Sequence, residues 1–207
     1  MKDYSITMAL VDYIPVICFA VAAVLLQRDL YNKMSKGAFA LFAAGTINVS
    51  AAGLLKATYK LLYATQVCDF TPLNTMFFPV QSIGFLLAGI GVLAMLLFKQ
   101  TSDTKLLSAA PVVWTGTFLF VGLMVAGLGC IDAGLSVFAV KLKKPRVILL
   151  FVLSFVCSLG MGYLSAQDFA SAGMNWIAEG VNVVGQGSFL VGTLILHKNG
   201  LAKYQVA

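Results

Sequence analysis

Long apolar runs alternate with short polar intervals along the whole chain. The runs cover residues 8–27, 38–64, 73–98, 106–140, 146–166 and 174–197. A helix needs about 20 apolar residues to cross a hydrocarbon core of ~30 Å, so each run predicts at least one membrane span. The run at 106–140 is longer than one span requires. As a single helix it would extend about 52 Å at 1.5 Å per residue. As two helices it leaves about 17 residues for each, the short end of the spanning range. Gly127-Leu128-Gly129 sits where a tight turn between two such helices would fall, with Asp132 just after it.

Charge placement separates the two counts. With seven spans, Arg28, Lys33, Lys36, Lys99, Lys105, Lys141, Lys143, Lys144, Arg146, Lys198 and Lys203 share one side, 11 of the 14 basic residues. The other side keeps Lys2 together with Asp3, Asp69 and Asp168. With six spans and one long kinked fourth helix, the alternative, the split is 7 against 5. Basic residues concentrate in cytoplasmic loops. The sequence therefore predicts an all-α, polytopic helix bundle of seven spans in a plasma membrane, N-terminus outside and C-terminus cytoplasmic.

Composition agrees. The chain has 207 residues, 60% of them hydrophobic and 11% charged, with a mean hydropathy of +0.92; soluble domains carry about a quarter charged residues. This is a single transmembrane domain, 1–207. The net charge of +6 is the charge of cytoplasmic loops rather than a nucleic-acid footprint. The first run holds Asp12 and Pro15 and ends at Arg28 without a small-residue cleavage site, so it reads as a retained span.

The last run carries the clearest pattern. Asn175, Glu179, Asn182 and Gln186 are spaced i, i+4, i+7, i+11 and form one helical stripe; Ile177, Val181, Val184, Phe189 and Leu190 occupy the other faces. A charge at mid-bilayer costs about 3 kcal/mol, so this stripe must face other helices or water.

Residues 74–97 align without gaps on 175–198 at an offset of 101: Asn74 on Asn175, Val80 on Val181, Gln81 on Asn182, Gly84 on Gly185, Gly91 on Gly192, and Pro79 on Gly180. An Asp-Phe pair precedes each copy, Asp69-Phe70 and Asp168-Phe169. The alignment predicts a 3+1+3 internal repeat: one unit at about 8–98, a linker helix at about 107–126, and a second unit at about 130–197. Transporters built from repeats hold their solute at the repeat interface. A three-plus-one-plus-three plan with the N-terminus outside resembles the sugar-exporting SWEET carriers and their PQ-loop relatives in span count and orientation. The chain has no Pro-Gln dipeptide, only Pro79-Val80-Gln81.

Candidate site residues follow from intramembrane polarity. Lys56 lies about eight residues in from the outer loop, Glu179 about six and Asp12 about five, and intramembrane ionisable groups point to function. They predict an outward polar cavity, with Lys56 paired to Glu179 or Asp12; the plain structural alternative is a pair that only fixes helix register. Asn48, Lys56, Tyr59 and Tyr63 are read as one face of the second span. Asn74, Gln81, Asn175 and Asn182, with Gln186, offer donors and acceptors from two walls, although single amides in membranes mostly bond helix to helix for about 0.6 kcal/mol. Gly84, Gly89, Gly91, Gly180, Gly185, Gly187 and Gly192 read as close-packing positions, and Tyr13, Tyr59, Tyr63 and Trp176 as an aromatic belt. Cys68 and Cys130 fall on the outer side in the seven-span plan, where a disulfide could form.

Metal and haem centres find no ligand set in four scattered cysteines and the single His197. The chain also lacks HExxH, GxSxG and a phosphate-binding loop, so no cofactor is predicted and an enzyme ranks third among the functions. The expected function is a small carrier of a small polar or charged solute: Glu179, Lys56 and Asp12 line the site, the amides orient the solute, and Pro79 and Gly180 let the helices bend. The alternative is a non-transporting, ligand-sensing or partner-binding membrane subunit. The expected partners are the lipid bilayer and the solute, without nucleic acid; self-association is left open.

Overall fold

Pro15 sets how the chain enters the bundle. A short helix α1, Ile6–Val11, starts at Ser5, whose hydroxyl accepts the Met8 N–H at 3.1 Å. Pro15 has no N–H to offer the Val11 carbonyl, so the helix breaks at Asp12 and resumes as α2, Tyr13–Leu30. Asp12 is the single residue between the two helices, its backbone still in the right-handed helical region (φ −62°, ψ −18°). The computed structural model describes residues 5–97, 117–164 and 172–204. After α2 come α3 (Lys36–Ala64), α4 (Thr71–Leu97), α5 (Thr117–Lys141), α6 (Ile148–Leu164) and α7 (Ala172–Lys198).

Among the described residues six helices are long and apolar enough to cross a membrane, α1 and α2 counting as one. Their outward stripes are apolar. On α2, Leu10 of the preceding turn, Ile14, Ile17, Val21 and Val24 are exposed; on α6, Leu149, Val152, Val156, Leu159 and Tyr163 are. Apolar residues at helical spacing on the outside and polar groups within is the arrangement that lipid demands.

The helices close into a ring in chain order, α7 packing back on α2. Directions follow from the contacts. Gly45 lies against Ala88 and Gly91 against Ala38, so α3 and α4 are antiparallel. Phe78 meets the Phe120 ring at 6.3 Å, Gly127 lies on Phe85 and Gly134 on Val92, so α4 and α5 run parallel. Gly185 lies on Cys157 and Gly192 on Phe151, making α6 and α7 antiparallel. Phe19 stacks on Phe189 at 5.8 Å and Arg28 reaches His197, so α7 and α2 are parallel. The bundle is thus two groups of three, α2–α4 and α5–α7, pointing the same way and meeting at two parallel seams. Arg28, Lys33, Lys36, Lys141, Lys143, Lys144, Arg146, Lys198 and Lys203 all fall at one end, here the basic end.

Three expectations need correction. Gly127, Leu128 and Gly129 form no turn: they lie inside α5, which runs unbroken through the boundary drawn at 126–130. Those glycines are used for close approach, since a Cβ on Gly127 would stand 2.3 Å from the Phe85 carbonyl carbon. Residues 107–116 of the expected linker lie outside the described residues. Asp132 lies within the same unbroken helix, 4% exposed. Cys130 moves into the same helix while Cys68 stays in the exposed α3–α4 connection, and both are free thiols.

The basic half is filled. Leu26, Leu30, Phe42, Leu135, Phe138, Leu196 and Leu201 are essentially inaccessible. Gly200 takes the left-handed conformation (φ 88°) and ends α7. The chain then turns under the bundle, where the Lys33 ammonium donates to the Ala202 carbonyl at 2.8 Å and Tyr204 meets the Phe138 ring at 6.2 Å.

The α4–α5 seam is a backbone-to-backbone contact: a Cβ on Gly89 would lie 2.5 Å from the Gly127 oxygen, whereas Gly187 has open space around it. Gly89→Ala should lower the detergent melting temperature by several degrees, through overpacking of about 1–3 kcal/mol. Gly187→Ala should leave it unchanged or raise it, since alanine favours a helix by about 1 kcal/mol. Equal melting curves for the two variants would contradict this seam.

Candidate functional site

The interruption at Asp12 brings its carboxylate into the ring opposite α3 and α7. There the Lys60 ammonium lies 3.2 Å from Asp12 Oδ2 and donates to Glu179 Oε1. Asp12, Lys60 and Glu179 are 3%, 4% and 3% exposed. This triad ties α2, α3 and α7 together at the end away from the basic loops. The partner of both carboxylates is therefore Lys60, one turn beyond the expected Lys56. The two lysines share a helical face at i and i+4, and depth counted along the sequence favoured the deeper one.

Lys56 does something else. Its ammonium sits 4.5 Å from the centre of the Phe77 ring, a cation–π contact, and makes no ion pair or hydrogen bond among the described residues. It lines a cavity of about 380 Å³ enclosed by five helices. Lys56 and Lys60 come from α3; Asn74, Phe77, Phe78, Gln81 and Phe85 from α4; Met124 and Leu128 from α5; Ser158, Met161 and Gly162 from α6; Asn175, Ala178, Glu179, Asn182 and Gln186 from α7. Asp12 adjoins through a smaller space of about 40 Å³ that shares Lys56, Gln81, Asn182 and Gln186 with the larger one.

The stripe on α7 thus faces the interior, and the amides of α4 and α7 stand on one cavity. Two expected residues stand elsewhere. Asn48 is half-buried on α3 and lines neither space. Tyr59 is 1% exposed and donates its hydroxyl to Asp69 Oδ1 at 3.2 Å, fastening α3 to the following connection; it belongs neither to the cavity wall nor to an exposed aromatic belt. Trp176 is exposed. Pro79 and Gly180 both lie within unbroken helices.

Toward the basic end the cavity stops at aromatic rings. Phe85 lines it, with Phe19 edge-on at 5.6 Å; Phe19 stacks on Phe189, and Phe189 meets Phe151 at 6.1 Å. Beyond them, at the basic end of the α2–α7 seam, is a second polar cluster. Arg28 Nη2 stands 3.0 Å from His197 Nε2, and His197 Nδ1 is 2.7 Å from Asp29 Oδ2. Arginine has only donors, so Nε2 accepts and Nδ1–H donates to Asp29. Nothing in the sequence linked positions 29 and 197; a lone histidine in a last helical turn reads as a cap.

Removing the shared cation should leave two buried carboxylates facing each other. Breaking a buried ion pair typically costs about 3–5 kcal/mol. Lys60→Met should therefore lower the melting temperature far more than Glu179→Gln, which leaves the Asp12–Lys60 pair intact. The triple variant Asp12→Asn, Lys60→Met, Glu179→Gln should recover much of the loss. Scanning fluorimetry in one detergent tests this, and a Lys60→Met melt equal to that of Glu179→Gln would rule the triad out as a lock.

No protein-family model matches the chain, and neither a curated protein nor a solved structure is similar to it. The site is interpreted on its own geometry.

Proposed function

We propose that the protein is a small carrier that moves a small polar or charged solute across a plasma membrane. The observation that carries this reading is the cavity itself. Its volume falls at the lower end of the range for small-molecule sites. Charges and amides converge on it in the middle of an otherwise apolar bundle, between two three-helix groups, where repeat-built transporters hold their solutes. Lys56, Glu179, Asp12 and the amides Asn74, Gln81, Asn175, Asn182 and Gln186 would contact the solute, and Pro79 and Gly180 would be the bending points of α4 and α7.

The topology we propose with it has seven crossings in a 3+1+3 plan, N-terminus outside. The parallel course of α4 and α5, with both helices ending on the basic side, supports this plan, because consecutive spans of one chain alternate in direction. Glycines at the repeat offset support the plan. Gly84 contacts Val49 of α3 and Gly185 contacts Cys157 of α6, while Gly91 rests on Phe42 and Gly192 on Phe151.

Single cysteines in a cysteine-free background test the crossings. Thr101→Cys and Gly116→Cys should react with an impermeant thiol reagent from opposite faces, with Asp69→Cys labelled from outside. Labelling of 101 and 116 from one face would leave six crossings.

Proteoliposomes test transport. At least one member of a panel of labelled small polar solutes should enter faster than into empty vesicles, and Gln81→Leu with Asn182→Leu should slow it at least about tenfold, the worth of about 1.4 kcal/mol, with the melting temperature preserved. Saturable binding without flux would make the protein a ligand sensor instead.

A further inference from the structure

We infer that the solute is a small organic anion, a carboxylate with an apolar body, whose charged group sits at Lys56. The inference rests on the carrier reading for its biological sense, but its argument is local. Four ionisable groups surround the cavity, and three of them are committed to one another: Lys60 holds Asp12 at 3.2 Å and donates to Glu179. The spare carboxylate oxygen Glu179 Oε2 has no hydrogen-bond partner and is shut off from the surface; the side chains of Asp12 and Glu179 are each 4% exposed. A cationic solute would reach these buried carboxylates only alongside the ammonium groups of Lys60 and Lys56, which line the same cavity.

Lys56 is the opposite case. An ammonium has three donors and no acceptor, and in a membrane interior each unanswered donor is expensive. The face of Phe77 lies 4.5 Å away and the Asp12 carboxylate attracts the ammonium at longer range, but neither gives its N–H groups an acceptor. It opens on both spaces. Gln81, Asn182 and Gln186 line the same two spaces and carry N–H₂ groups able to complete a carboxylate's shell. Phe78, Met124, Leu128 and Met161 give the cavity an apolar, soft stretch of wall. Spare donors beside an apolar stretch fit an amphipathic anion; a sugar would leave that apolar stretch unused.

Isosteric series test this directly. Acetate, benzoate and cinnamate would be compared with their amides and with amines of matching size, by thermal shift and calorimetry on the purified full-length protein in detergent. At least one carboxylate with an apolar body should bind about tenfold or more tightly than its amide, with its amine not binding. Lys56→Met should abolish that preference, and Lys56→Arg, which keeps the charge, should retain it and control for folding. Preference for amines or amides, no binding by any carboxylate, or carboxylate binding untouched in Lys56→Met would overturn the inference. Inorganic phosphate binding as tightly as the best carboxylate would overturn the apolar part. The carrier reading fails separately: a carboxylate that binds through Lys56 but shows no flux in proteoliposomes removes transport and keeps the anion site, whereas flux of neutral or cationic solutes alone does the reverse.

Discussion

Everything at the end of the bundle away from the basic loops depends on one ammonium shared by two carboxylates inside hydrocarbon. Water would screen such charges; lipid and packed helices do not, so each ion there needs a counter-ion and hydrogen bonds. Lys60 supplies both to Asp12 and Glu179, and because the three come from α2, α3 and α7 the electrostatic requirement becomes a geometric one. It fixes which faces of three helices look inward. The cavity is a by-product of that constraint: once Glu179 is held toward Lys60, helical periodicity places Asn175, Asn182 and Gln186 on the same inward line.

Elsewhere the bundle is held by a different device. Lipid tails are as apolar as leucine, so the α3–α4 and α4–α5 contacts gain little from burial and rely on close backbone approach through Gly45, Gly84, Gly89 and Gly127. The division is physical: small residues draw helices together along α3–α5, and charges close the ring across α7 and α2. The two polar clusters on that seam, the triad at one end and Arg28–His197–Asp29 at the other, are separated by the rings of Phe19 and Phe189.

Much of this was legible in the sequence where a single strong rule applied. Apolar run length located the six membrane-length helices, and the cost of a charge in lipid explains the inward direction of the α7 stripe. Where two rules competed, the sequence misled. Gly127 and Gly129 obey turn statistics from soluble proteins, but in a membrane helix the same glycines serve packing. Lys56 and Lys60 share a face, so periodicity leaves them equal, and only the break at Asp12 in three dimensions selects Lys60. Tyr59 has the composition of a boundary residue but finds a hydrogen bond to Asp69 instead.

The seam between α2 and α7 has a consequence for biosynthesis. Asp12 and Lys60 leave the ribosome long before Glu179, so they enter the bilayer while one carboxylate of their final trio is still unmade. During that interval the nascent chain holds an open ring whose unclosed edge exposes polar side chains. The insertion machinery, or neighbouring lipid headgroups, must shelter that edge until α7 arrives. Ring closure is thus an end-of-synthesis event, and a chain stalled before α7 would present its charges to quality control as an unassembled membrane protein.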